Sequence, residues 1–134
     1  KYINSTKEQY YECLHNMRLD EKYIKDYLLY MINGVEKTAL FTLNFINKFR
    51  ESMSHCREMI KNKCPKIYSE ELLEYLFYDF YTKNVYLRNN LSISRNTASK
   101  YLNELEQVGI LLSERVGKEK IYKNNYLYEL IKEW

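Results

Sequence analysis

A mainly helical fold with one small β-hairpin near its C-terminal end follows from three features of this sequence. Apolar residues recur at three- and four-residue steps over most of the chain. Glycine (3) and proline (1) are scarce, which removes the usual punctuation of helices. The runs 110–116 and 119–123 read as paired strands on the two sides of Gly117-Lys118, a turn pair. With 46% hydrophobic and 29% charged residues among 134, the chain carries enough apolar material for a core and is poorly suited to wholesale disorder.

The first helix starts at Ser5 or Thr6, either of which can cap it, and repeats Tyr10, Tyr11, Leu14 and Met17 down one face. It stops near Leu19, where Asp20 can cap the next. That next helix is predicted to be long, over 21–61. Leu28, Ile32, Val35, Ala39, Thr42, Ile46, Phe49, Met53, Cys56 and Ile60 step by alternating fours and threes, a near-heptad stripe. Gly34 is its weak spot, at a cost of about 1 kcal/mol against alanine, and the place where the one helix can bend. Such a stripe needs a partner: another helix of this chain, an absent domain, or a second copy. The residues that would form a dimer seam are Val35, Ala39, Ile46, Phe49 and Met53.

Pro65 disfavours helix at Cys64, so the sequence divides into a helical segment over 1–64 and a second domain over 69–134. Ser69 caps a helix with Leu72, Leu73, Leu76, Phe77 and Phe80 facing inward. A short helix over 83–90 offers Leu87 and Leu91. Ser94 starts a third, whose inward residues are Ala98, Tyr101, Leu102 and Leu105, and Gly109 closes it in left-handed backbone. Strands over 110–116 and 119–123 follow, then a last helix over 126–132. Three helices and a hairpin in this order make a winged helix-turn-helix with a two-stranded wing.

Ile93 is expected to plug the corner between the second and third of these helices. That leaves Arg95, Asn96, Ser99, Lys100 and Asn103 outward, residue types that suit a DNA groove: arginine forks to guanine, asparagine to adenine, and serine or lysine meets phosphate. The net charge of +3 is too mild to announce a nucleic-acid partner, so placement has to carry the reading. Lys83, Arg88, Arg95 and Lys100 fall in a stretch, 83–103, with no acid. Arg115, Lys118, Lys120 and Lys123 of the wing face a single Glu119 over 115–123. Lys118, Lys120 and Lys123 therefore join the expected DNA-binding set, and the surface shared by Arg95, Asn96, Ser99 and Lys100 is expected to be free of acids. The competing reading is a solvated face on a module that serves dimerisation or docking.

Other residue groups point to no chemistry. Cys13, Cys56 and Cys64 form no C-x-x-C pair and read as free thiols of a reducing cytosol. Adjacent His55 and Cys56 would diverge by about 100° on a helix, which argues against a metal site. Glu70, Glu71 and Glu74 sit where carboxylates favour a helix start. Tyr122, Tyr126, Tyr128 and Trp134 read as rings that close a core. No apolar run approaches the roughly 20 residues that span a bilayer, and no signal-peptide pattern opens the chain, so no membrane partner and a cytoplasmic location are expected. The absence of a starting methionine suggests a piece of a longer protein.

The run Met31-Ile32-Asn33-Gly34-Val35-Glu36-Lys37-Thr38-Ala39 resembles the segment that follows the catalytic core of long bacterial Fic (filamentation-induced-by-cAMP) proteins. Tyr10-Tyr11-Glu12-Cys13-Leu14 fits the helix before it. The run from Ser92 to Leu102, with Leu105 and Gly109-Ile110-Leu111, looks like their C-terminal winged helix. The resemblance implies AMP transfer from ATP to protein hydroxyls in the parent, and an upstream catalytic domain as this segment's partner. The family's loop, His-Pro-Phe-x-x-Gly-Asn-Gly-Arg, is absent: His15 precedes Asn16-Met17 and His55 precedes Cys56-Arg57. What the resemblance implies is a non-catalytic C-terminal fragment with no cofactor of its own; taken with the basic surface, its winged helix is expected to bind DNA and regulate transcription, or else to dock a target or a second copy. A free-standing ligand-sensing repressor is the weaker third possibility.

Overall fold

The computed structural model of the chain describes residues 2–132; the aromatic role expected of Trp134 falls outside them. Two compact units emerge, Lys1–Ile46 and Asn47–Trp134. One helix is common to both.

In the first unit a short helix α1 (Tyr2–Ser5) leads into α2 (Lys7–Leu19). Thr6 precedes α2 but does not cap it. Its hydroxyl donates instead to the Tyr2 carbonyl at 2.9 Å and shares a 2.7 Å bond with the Tyr30 hydroxyl. Asp20 does cap as expected, accepting the Lys22 N–H at 3.0 Å ahead of a single 3-10 turn, Glu21–Tyr23. The long helix α3 (Ile24–Lys63) follows and runs through Gly34 without interruption. The glycine has a packing reason. A methyl group there would meet the Tyr2 ring at 2.6 Å, so Gly34 is the seat of that ring, which in turn lies 5.3 Å from Tyr30.

In the second unit α3 contributes its last turns to a core built with Ile67, Leu72, Leu73, Leu76, Phe77, Leu87, Ala98, Leu102, Leu105, Ile110 and Leu111. Cys56 and Ile60 are fully buried there, and Phe49 stacks edge-on against Phe77 at 5.4 Å. The seam expected to hold a second copy is therefore divided. Phe49 and Met53 pack against this core, while Val35, Ala39 and Ile46 stay exposed. A stripe on a long helix can serve two surfaces because it extends past any single one.

The helix α4 (Glu70–Tyr78) is capped by Ser69, whose hydroxyl accepts the Leu72 N–H at 3.0 Å. It ends before Phe80, which was expected on its inward face and is instead 50% exposed. Asp79 turns to extended backbone and the chain becomes a strand, β1 (Tyr81–Thr82). Backbone pairing accounts for the change, since Tyr81 and Thr82 lie opposite Lys123 and Tyr122 of the wing. The wing thus gains a third strand. With β2 (Leu111–Val116) and β3 (Glu119–Asn124) the sheet order is β1-β3-β2, antiparallel throughout.

Between β1 and β2 lie α5 (Asn84–Leu91) and α6 (Arg95–Gln107). Gly109 at φ 81° closes α6 as expected. The Ile110 N–H reaches the Leu105 carbonyl and the Gly109 N–H the Glu106 carbonyl, both at 3.0 Å, a complete Schellman end. A serine does the same for α5: Ser92 stands at φ 52°, and the Ile93 N–H bonds the Arg88 carbonyl at 3.1 Å. The last helix, α7 (Asn125–Lys132), is tied down by buried Asn124. The Asn124 carboxamide donates to the Leu76 carbonyl at 2.8 Å and accepts the N–H groups of Tyr126 and Leu127 at 3.1 and 3.2 Å.

Candidate nucleic-acid interface

The corner between α5 and α6 has the expected geometry. Leu87, Ala98, Leu102 and Leu105 are fully buried and anchor both helices, with Ile93 packed against them. Ser94 caps α6, accepting the Thr97 N–H at 3.1 Å. Arg95, Asn96, Ser99, Lys100 and Asn103 are all exposed. At 100° per residue Arg95, Ser99 and Asn103 form one stripe, with Asn96 beside it and Lys100 further round the helix. One residue missed in the sequence steadies this stripe. The Asn84 carboxamide, in the first turn of α5, donates to the Arg95 carbonyl at 3.0 Å and to the Ser99 hydroxyl at 2.8 Å. The Ser99 oxygen is thus engaged within the corner, and its own proton remains for a ligand.

The surface is not free of acids. The stretch without carboxylates ends at Asn103, and the next helical step along the stripe is Glu106. Its carboxylate accepts the Ser113 hydroxyl and lies 3.0 Å from Lys120, bolting α6 to the wing. The Ser113 hydroxyl and then the Lys120 ammonium hold Glu106 below the usual carboxylate range. Lys83 is paired with Glu119, Lys123 with Glu114, and Lys100 stands 3.8 Å from Glu104. Arg88, Arg95, Arg115 and Lys118 have no ion pair among the described residues.

The wing lysines also divide between two sides. On β3 a spacing of three puts Lys120 and Lys123 on opposite faces of the sheet. Lys120 shares its face with buried Tyr122 and Asn124 and meets α6. Lys123 lies opposite Leu112 and Tyr81 and stands over the Tyr128 ring at 5.9 Å. Lys118 is exposed in the turn between the strands. Of the wing trio, then, Lys118 and Lys120 lie on the side or tip that can accompany α6, and Lys123 does not.

Elsewhere the candidates settle into packing. His55 lies against the Tyr126 ring at 5.3 Å, and the Tyr126 hydroxyl reaches Met59 Sδ at 3.2 Å. Burial pushes the Cys56 thiol up to about 12. Glu70 is taken by Arg57 at 3.2 Å and by the Tyr68 hydroxyl. Among the described residues no group of three or more His, Cys, Asp or Glu could hold a metal ion, and no helix is long and apolar enough to cross a membrane.

Over residues 52–127, more than half its length and all of this site, the sequence matches the protein family described as "Protein adenylyltransferase SoFic-like, C-terminal domain". The chain belongs to that family. The match starts at Ser52 in α3 and ends at Leu127 in α7, so the family unit takes in the last turns of the long helix as well as the helix-turn-helix and the wing. It bears out the Fic resemblance for the C-terminal region and places residues 52–127 with the C-terminal domain of these adenylyltransferases.

Proposed function

We propose that the C-terminal unit binds duplex DNA, with α6 in the major groove and the wing turn beside it, and that it regulates transcription or couples an AMP-transferring catalytic domain of the same protein to DNA. The observation that carries this reading is the stripe of Arg95, Ser99 and Asn103, with Asn96 alongside, exposed on a helix whose other face is locked by Ala98, Leu102 and Leu105. A rigid helix that presents fork-shaped and amide donors costs little entropy on docking and can address base edges. Lys118 at the wing tip supplies a phosphate contact. The test is binding to a pool of genomic duplex fragments as salt is raised. Affinity falls steeply with salt, and Arg95→Ala weakens it by roughly 1–3 kcal/mol. Binding that is undetectable, or indifferent to salt, overturns the reading.

The open half of the α3 stripe favours a second role, in docking. Val35, Ala39 and Ile46, with Met31 and Leu43, line a mainly apolar groove of about 740 Å³ in the first unit. An exposed apolar surface of this kind marks a contact site. On this reading the groove takes a second copy or the catalytic domain of the same protein. Sedimentation of the chain alone gives a dimer if the occupant is a second copy, and Ile46→Asp dissolves it. A monomer at all concentrations removes self-association.

A further inference from the structure

We propose that Glu106 limits the strength of the α6–wing face toward duplex DNA, by holding Lys120 in an internal pair at the point where a phosphate backbone following the helix would pass. The inference rests on the DNA-binding reading above. Glu106 continues the line of Arg95, Ser99 and Asn103, so a duplex seated on that stripe meets a carboxylate at its end. Glu106 and Lys120 are 32% and 43% exposed, so the pair stands at the surface and not in the core. A lysine whose charge is matched by a carboxylate releases no counterion when DNA arrives, and the carboxylate itself repels phosphate. Arg95 and Lys118 carry no such partner among the described residues. The Glu114–Lys123 pair is an internal control. It has the same chemistry, and its members lie on the other side of the sheet from Lys120.

Glu106 is a positioning residue here, acting through Lys120. Salt dependence separates that role from a purely structural one. Glu106→Gln keeps an acceptor for the Ser113 hydroxyl and releases Lys120. If the freed lysine makes one phosphate contact that is neutral near 1 M salt, affinity for a labelled mixed-sequence duplex rises roughly 15-fold at about 50 mM salt and roughly fourfold at about 200 mM, with a slope steeper by about 0.9. Glu114→Gln leaves both affinity and slope unchanged. Lys120→Ala abolishes the gain in the Glu106→Gln background. Thermal melts of each variant confirm that the unit stays folded. If Lys120→Ala leaves the gain intact in the Glu106→Gln background, the freed lysine is not what meets phosphate and the proposal is overturned. An unchanged slope in Glu106→Gln overturns it as well. Absence of salt-sensitive binding in both parent and Glu106→Gln takes down the DNA reading itself.

Discussion

In the unit that begins at Asn47, leucines from α4, α5, α6 and β2 are sealed from solvent, whereas in the unit that ends at Ile46 the only buried described residues are Tyr30 and Gly34. Both units are rich in apolar side chains. The first leaves Leu28, Ile32, Val35, Leu40 and Leu43 more than half exposed. It is held by rings and hydroxyls instead: Tyr2 seated on Gly34, Tyr10 and Tyr2 against Tyr30, and Thr6 bonded to the Tyr30 hydroxyl. The contrast teaches that apolar periodicity specifies a helix face without specifying what covers it. A stripe stabilises the fold only where the chain returns to cover it, as α4 does when Phe77 meets Phe49.

Substitution in the two sets of apolar residues gives the largest expected difference. Leu102→Ala, at a fully buried site, lowers unfolding free energy by about 3–5 kcal/mol in denaturant titration. Val35→Ala, at 68% exposure, changes it by less than about 0.5 kcal/mol. If the two cost the same, the stripe is covered in solution and the contrast between the units disappears.

The polar anchors come next. Asn124→Ala leaves the Leu76 carbonyl and the Tyr126 and Leu127 N–H groups without their partner, and costs about 2–3 kcal/mol. Thr6→Val removes a single part-buried bond to Tyr30 and costs about 1 kcal/mol in the same assay. A larger loss from Thr6→Val would show the N-terminal unit to be the more cooperative of the two.

Smaller effects attend the left-handed residues. Gly109→Ala forces a side chain into φ 81° and loses about 1–2 kcal/mol by thermal melting. Ser92→Gly relieves the same conformation at φ 52° and gains about 0.5–1 kcal/mol, net of the entropy glycine adds to the unfolded chain. At Gly34 the expected change is near zero. Alanine brings about 1 kcal/mol of helix propensity, and displacement of the Tyr2 ring offsets it. In a Tyr2→Ala background Gly34→Ala becomes stabilising, and failure to do so would mean that Gly34 does not seat the ring.

Much of the C-terminal unit was legible because its signals are local. Ser69 and Ser94 cap, Gly109 closes, Gly117 turns, and the inward leucines keep helical step. The strand β1 was not legible. Two residues carry no periodicity, and pairing with β3 is a contact some forty residues away along the chain that overrides the helical pattern reaching to Phe80. The candidate site was half legible. The outward stripe follows from helical geometry, and Glu106 could have been found by carrying the same steps one turn past Asn103. The opposite placement of Lys120 and Lys123 also follows from strand alternation. The Asn84 bonds had no sequence signal, since they depend on how α5 crosses α6.

The sequence by itself determined the longer helices, the ends marked by Asp20, Ser69, Ser94 and Gly109, the hairpin and the set of polar residues that α6 turns outward, because each depends on neighbours within a few positions. Only the tertiary structure decided which half of the α3 stripe is covered, which wing lysines are paired with acids, and which face of the sheet meets α6. Those outcomes depend on which distant groups meet, and burial and charge pairing act through space whatever the separation along the chain.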